Sequence, residues 1–106
     1  MLFAMIRRGG PAWDGGRSLR EQDGFDEHAA FMDALVEEGF VMFGGPLGDG
    51  HLAGGDSEHR VLLILDADSK STIDARLAED NWTQSGTLST VSLEPWTVLL
   101  GELSGR

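Results

Sequence analysis

Three histidines are the residues of this sequence best suited to move protons near neutral pH: His28, His51 and His59. The chain has no cysteine and no tyrosine, which excludes thiolate catalysis, disulfides, iron-sulfur clusters and cysteine-ligated zinc. Its single lysine, Lys70, falls at the expected start of a helix, so we discount Schiff-base chemistry. Acid/base catalysis by histidine and carboxylate is the chemistry that this composition favours.

His28 stands out because of the segment around it. In FDEHAAFMDALVEEGF, residues 25–40, apolar side chains recur at spacings of three and four, which predicts an amphipathic helix. At 100° per residue, His28 falls inside the apolar stripe, between Phe31 and Met32. A buried imidazole without a partner costs roughly 1–3 kcal/mol, so His28 must either form a hydrogen bond or face a wet pocket. The residues alone leave a hydrogen-bonded core histidine and a functional histidine equally open.

The other two histidines carry weaker signals. His51 lies near Asp49 and Asp56 in a glycine-rich segment, but their spacing matches no standard set of metal ligands, and we predict no metal site. His59 directly precedes an apolar run that predicts a strand, and we expect it at a solvated strand end. Neither histidine receives a catalytic role.

The periodicity of the apolar residues predicts the element order βαββαβ. Gly39 is a stop signal for the first helix, Ser69 is a plausible N-cap for the second, and Gly44 and Gly45 are expected to end the second strand. The segment AEDNWTQSG, residues 78–86, reads as an ordinary connection. The predicted strands are residues 2–8, 40–43, 60–68 and 87–100, and the predicted helices are residues 24–38 and 69–79.

This order in a short chain is typical of a ferredoxin-like α+β fold, a four-stranded antiparallel sheet with two helices on one face. We expect residues 1–106 to form a single domain, because a chain of this length supports one core. Two helices cover only one face of the sheet, so we expect a homodimer that stacks two sheets. Two polar, glycine-containing connections, residues 11–23 and 47–59, receive no assigned role.

The charge of the chain limits its partners. The formal net charge is −10 and the pI is near 4.4, which makes the protein a poor binder of nucleic acid or of anionic membranes. No apolar stretch approaches the ~20 residues of a membrane span, and the N-terminus is unlike a signal peptide. We therefore expect a cytoplasmic protein with a small-molecule partner, and neither nucleic acid nor membrane as a partner.

An ordered series of residues resembles the YCII-related family of small dimeric α/β barrel proteins. Two features depart from that family: Asn81 stands where proline is usual, and the connection that carries Trp13, Arg17 and Arg20 is longer and more polar than in the shortest members. The residues that carry the resemblance are His28, Gly39, Gly45 with Pro46, Asp80 with Trp82, Gly86, and Pro95 with Trp96.

The resemblance implies a homodimer with sheets stacked into a barrel and a functional pair, His28 and Asp80. Most members have no established activity, but a related protein is implicated in dehydrochlorination of a chlorinated hydroquinone, and other barrel families act on small, often aromatic molecules without a cofactor. We therefore predict a cofactor-free isomerase or lyase in which His28 is the general base or acid and Asp80 orients it.

The expected substrate site follows from residue type. Trp82 and Trp13 are expected to wall the pocket, and Gly45, followed by Pro46, to let a ligand approach the backbone. The alternative from another class is a non-catalytic ligand-binding or accessory homodimer. Haem binding through one histidine is a third and weaker possibility.

Overall fold

The computed structural model describes residues 1–48 and 59–101. The strands are β1 (Leu2–Gly9), β2 (Val41–Pro46), β3 (Arg60–Asp66) and β4 (Leu88–Pro95). All strand pairs are antiparallel, and the strands lie side by side in the order β2, β3, β1, β4, which confirms the predicted α+β, ferredoxin-like fold. No helix among these residues is long and apolar enough to cross a membrane. The helices are α1 (Phe25–Glu37), α2 (Lys70–Leu77) and α3 (Asn81–Ser85), and a 3-10 turn spans Leu19–Glu21.

The hydrophobic core lies between the sheet and the two longer helices. Alternate residues of a strand face the same side, so Phe3 and Met5 of β1 pair with Leu65 and Leu63 of β3 on the helical side. Leu35 of α1 packs against them and is 1% exposed. Each such side chain stabilises the fold by about 1.5–3 kcal/mol when fully buried. The core of the described residues also contains Phe40, Val41, Ile73 and Leu77.

Two glycines in the left-handed region bound α1. Gly24 precedes the helix at φ 79°, and Gly39 follows it at φ 80°, where a side chain would strain the backbone. The backbone N–H of Phe40 donates to the carbonyl of Leu35, which closes the last turn and leads the chain into β2. Gly24 therefore fixes where α1 begins, and with it the position of His28, and Gly39 fixes where α1 ends.

The structure corrects two expectations about local structure. Gly44 and Gly45, expected to end the second strand, lie within β2 and pair with Leu63 and Leu62 of β3, because the strand ladder needs only backbone groups. A Cβ at Gly44 would lie 2.5 Å from Leu63 Cδ2, so glycine permits this close approach. The expected connection at residues 78–86 contains α3, which Asp80 caps by accepting a hydrogen bond from Trp82 N.

The second face of the sheet carries apolar residues of the central strands. Ala4 pairs with Ile64 and Ile6 pairs with Leu62, and these residues alternate with those of the core. Phe43 of β2 is 48% exposed. We call this second face the open face and define it by Ala4, Ile6, Phe43, Leu62 and Ile64; Ile64 is 2% exposed, whereas Ile6 and Leu62 are half-buried.

Candidate active site

The structure brings the two predicted site residues together. His28 lies in the second turn of α1 and Asp80 directly precedes α3, and His28 Nδ1 is 2.8 Å from Asp80 Oδ1 although 52 residues separate them in the chain. The His28 side chain is 13% exposed and the Asp80 side chain is fully buried. The pair therefore joins the N-terminal half of α1 to the start of α3.

The Asp80 carboxylate accepts a hydrogen bond at four points. Oδ1 accepts from His28 Nδ1 and, at 3.3 Å, from Trp82 N, whereas Oδ2 accepts at 3.4 Å from both Arg7 Nη1 and Thr83 Oγ1. Burial raises the pKa of Asp80, but the hydrogen bond and charge of His28, the Trp82 amide and the charge of Arg7 together lower that pKa below its ordinary value. Asp80 is therefore ionised at neutral pH.

The ionised carboxylate sets the tautomer of His28. A carboxylate only accepts hydrogen bonds, so His28 Nδ1 must carry the hydrogen that it donates to Asp80. In the neutral imidazole the lone pair is then on Nε2. Such a ring can take a proton from a bound molecule at Nε2 while Asp80 stabilises the resulting imidazolium.

Arg7 is a site residue that the sequence analysis missed. It occupies the inward position of β1 that follows Phe3 and Met5, and it is 2% exposed. Its Nη2 donates to Thr83 Oγ1 at 2.7 Å, and its Nε has no acceptor among residues 1–48 and 59–101. Burial lowers the pKa of the guanidinium, and Asp80 opposes that shift. The alternation of β1 could have revealed this residue, because it places Arg7 on the same buried side as Phe3 and Met5. A buried arginine needs a carboxylate partner, so its position would also have indicated a buried acid.

Trp82 and Asn81 hold α1 against α3. The indole of Trp82 is 1% exposed and stacks on the His28 ring, with centroids 4.1 Å apart and planes 11° apart. Trp82 Nε1 donates to the carbonyl of Asp23 at 2.7 Å, and Asn81 Nδ2 donates to the carbonyl of Gly24 at 3.0 Å. These two side chains therefore tie the start of α1 to α3 and fix His28 relative to Asp80.

His28 lines two adjoining cavities between α1 and the sheet, of about 280 and 210 Å³. A cavity of about 150 Å³ accommodates benzene, so each is large enough for a single-ring molecule. Most of the lining side chains are apolar. Both cavities are lined by Leu19, His28, Met32, Asp33, Pro46, Val61 and Leu88; the larger adds Arg7, Val36, Val41, Gly44, Gly45 and Leu63, and the smaller adds Phe25, Ala29, His59 and Trp82.

Three of the four residues predicted to bind substrate line these cavities. Pro46 lines both cavities, Gly45 lines the larger one, and Trp82 lines the smaller one. A Cβ at Gly45 would meet no atom within 4 Å, so the described packing does not itself require glycine there. Trp13, the fourth, lines neither cavity; its ring lies nearly perpendicular to that of Trp82, with centroids 6.2 Å apart.

The expectation of a solvated His59 is wrong. His59 is 7% exposed, and its ring stacks in parallel on Trp13 with centroids 4.7 Å apart. Trp13 belongs to the 11–23 connection, so this connection covers one face of the His59 ring. The buried Gln22 braces this connection, because its side chain accepts from Asp14 N and donates to the carbonyls of Asp14 and Arg17.

The sequence predicted no metal site at Asp49, His51 and Asp56, and these three residues lie in segment 49–58, outside the described residues. Within residues 1–48 and 59–101, no group of three histidine, aspartate or glutamate side chains is arranged to hold a metal ion.

A separate polar depression of about 460 Å³ lies at the 11–23 connection. Asp14, Arg17, Gln22 and Asn81 contribute to its lining, and it shares Trp82 with the smaller cavity. Neither His28 nor Asp80 lines this depression, so the chemistry of the pair points to the two apolar cavities instead.

Comparison with known proteins supports the fold. No family model matches the chain, and no curated protein matches it. Among solved structures, it is similar to the 5-chloro-2-hydroxyhydroquinone dehydrochlorinase of Burkholderia phenoliruptrix AC1100 in complex with 2,5-dihydroxybenzoquinone, with a TM-score of 0.63 and 24% sequence identity over 92% of this chain and 94% of that chain. This likeness establishes a shared fold.

Proposed function

We propose that this protein is a cofactor-free acid/base enzyme, an isomerase or lyase that acts on a small organic molecule. The observation that carries the proposal is the 2.8 Å hydrogen bond between His28 Nδ1 and the buried, ionised Asp80. It leaves His28 Nε2 as the proton acceptor of a ring that lines two apolar cavities.

In the proposed reaction, His28 Nε2 removes a proton from an acidic C–H or O–H bond of the bound molecule. The electron pair stays on the substrate, and Asp80 stabilises the imidazolium through Nδ1–H. An isomerase returns the proton to a different atom, whereas a lyase expels a leaving group with the electron pair. A positioned acid/base group of this kind contributes about 10²–10⁴-fold in rate.

For the substrate we propose a hydroxylated single-ring compound and a dehydrochlorinase-like or related proton-transfer reaction. The volumes of the cavities, about 280 and 210 Å³, support a molecule of that size. The similar fold of a dehydrochlorinase of a chlorinated hydroxyhydroquinone agrees with this class. Membership of the YCII-related family is part of the same proposal, and it rests on the ordered residues that include His28, Asp80 and Trp96.

We further propose a homodimer in which the open faces of two sheets stack on each other. Ile6 and Leu62 lie on that face, and Phe43 is 48% exposed there, so burial against a second copy would remove apolar surface from water. Cytoplasmic localisation, expected from the sequence, stays a prediction.

A non-catalytic ligand-binding or accessory homodimer is the second candidate. One observation favours it: Asp80 already caps α3 and pairs with Arg7, so its hydrogen bond to His28 can serve structure alone. In that case the cavities bind a small molecule without turnover, so the two candidates differ in whether the wild-type protein catalyses any reaction.

The test follows proton transfer directly. The purified protein is incubated with 5-chloro-2-hydroxyhydroquinone to measure chloride release, and with a panel of hydroxylated single-ring compounds in D₂O to measure loss of C–H signals by proton NMR. We expect catalysis by the wild type, a loss of about 10²–10⁴-fold for His28→Ala, and a rate within about twofold of wild type for Glu27→Gln. Glu27 is the exposed neighbour of His28 on α1. No turnover of any compound would favour the binding protein, and full activity of His28→Ala would refute the catalytic role of His28.

A further inference from the structure

We propose that His59 contacts the same ligand molecule as His28 and holds a second oxygen of that ligand. The inference rests on the proposed function, because it takes His28 as the group that moves the proton. It assigns a role to a buried histidine that the proposed reaction has not yet used.

The smaller cavity brings the two histidines to one ligand. His28 lines it from α1 and His59 lines it from the start of β3. The volume of about 210 Å³ exceeds the ~150 Å³ cavity that holds benzene, so a single substituted ring that fills it would lie beside both residues. Leu19, Phe25 and Leu88 line it with apolar atoms, which leaves few polar groups to select a ligand.

Aromatic packing fixes both imidazoles. His59 stacks on Trp13 at 4.7 Å, Trp13 meets Trp82 edge to face at 6.2 Å, and Trp82 stacks on His28 at 4.1 Å. His59 and Trp82 are nearly fully buried. The four rings form a continuous series, so the two imidazoles keep a set separation, as a preorganised pair of contacts to one ligand requires.

The chemistry of the cavity then narrows the substrate class. The polar side chains that line it in the described residues are His28, Asp33 and His59, since the Trp82 indole N–H already donates to the carbonyl of Asp23. A ring with oxygen substituents at two separated positions would present one to His28 and one to His59. When His28 takes the proton, the electron pair stays on the ring and shifts toward the second oxygen, where a hydrogen bond donated by His59 stabilises it.

The experiment observes both imidazoles in the full-length protein. Protein labelled with ¹⁵N-histidine is titrated with 2,5-dihydroxybenzoquinone, and long-range ¹H–¹⁵N spectra follow the ring nitrogens, assigned with His28→Gln and His59→Gln. We expect the His28 and His59 signals to shift together and to saturate with one dissociation constant. A saturable shift of His28 without one of His59 would overturn the inference and leave the proposed function standing.

Affinity measurements on variants add an independent readout. His59→Phe keeps a ring against Trp13 and removes both ring nitrogens, and His59→Gln serves if that variant does not fold. We expect either to bind 2,5-dihydroxybenzoquinone about tenfold or more weakly, while the His28 signals still respond. The control is Arg60→Gln, at the exposed next position of β3, with wild-type affinity within about twofold. Wild-type affinity in the His59 variants would refute the role of His59, and no response of either histidine at millimolar probe would refute both proposals.

Discussion

His28 Nδ1 lies 2.8 Å from Asp80 Oδ1, and the other oxygen of that carboxylate lies 3.4 Å from Arg7 Nη1. Asp80 therefore interacts with two cationic or potentially cationic side chains from two other elements, β1 and α1. This arrangement fixes the tautomer of His28 and links the stability of the fold to the chemistry of the site.

Removal of the guanidinium should destabilise the fold strongly. Arg7→Met leaves the fully buried Asp80 carboxylate without its arginine partner, and loss of one member of a buried pair costs about 3–5 kcal/mol. The free energy of unfolding in urea measures the effect. Arg8→Met, at the exposed next position of β1, is the control and should change that free energy by less than about 0.5 kcal/mol. Equal effects of the two substitutions would refute the role assigned to Arg7.

The Trp82 indole N–H should contribute measurably to stability. Trp82→Phe keeps an aromatic ring against His28 but removes the donor to the Asp23 carbonyl, and one hydrogen bond contributes about 0.5–1.5 kcal/mol. Removal of the larger ring also reduces packing, so we expect a loss of at least about 1 kcal/mol in urea unfolding. Trp96→Phe alters a tryptophan that is 41% exposed and should cost less. A larger loss for Trp96→Phe would contradict this account of the contact between α1 and α3.

Stability should fall in acid because of Asp80. The pKa of Asp80 is lowered in the folded protein, so the unfolded chain binds more protons at low pH. This contribution is fully present above the ordinary carboxyl pKa of ~3.9 and is lost as the pH falls through the lower, folded-state value. Urea unfolding at pH 7 and at steps down to pH 3 should show a flatter profile for Asp80→Asn. Asp74→Asn, at an exposed position of α2, should retain the wild-type slope, and a wild-type slope for Asp80→Asn would contradict the prediction.

The proposed dimer predicts a mass of twice the 11.4 kDa chain by light scattering. Phe43→Asp places a charge on the open face and should give a monomer, because burial of an unpaired charge is costly. Ala75→Asp, at an exposed position of α2, should remain a dimer. A wild type that stays monomeric at high concentration would reject the stacked-sheet arrangement.

Much of the fold could be predicted from the sequence because its periodicities are clear. The apolar stripe that contains Leu35 and the apolar run of β3 predicted which residues form the core. Ser69 caps α2 as expected, since its Oγ accepts a hydrogen bond from Thr72 N. The positions of Gly44 and Gly45 were predicted wrongly because glycine usually interrupts a strand, whereas here Gly44 lets β2 approach Leu63 and Gly45 pairs with Leu62.

The site was predictable only in part. The resemblance supplied His28 and Asp80, but the partners of Asp80 depend on tertiary contacts such as the one to Arg7, which lies 73 residues away in the chain. The His59 ring stacks on Trp13, and no periodicity of β3 encodes that contact. Side chains that meet across elements are set by packing, which local pattern does not reveal.

The central claim is that His28 moves the proton and that Asp80 acts through it. The most direct measurement is a double-mutant cycle of the rate of proton transfer, by chloride release or deuterium incorporation, for wild type, His28→Ala, Asp80→Asn and the double variant. We predict a loss of about 10²–10⁴-fold for His28→Ala and no further loss beyond about threefold when Asp80→Asn is added. A wild-type rate in His28→Ala, or losses that multiply in the double variant, would contradict the account.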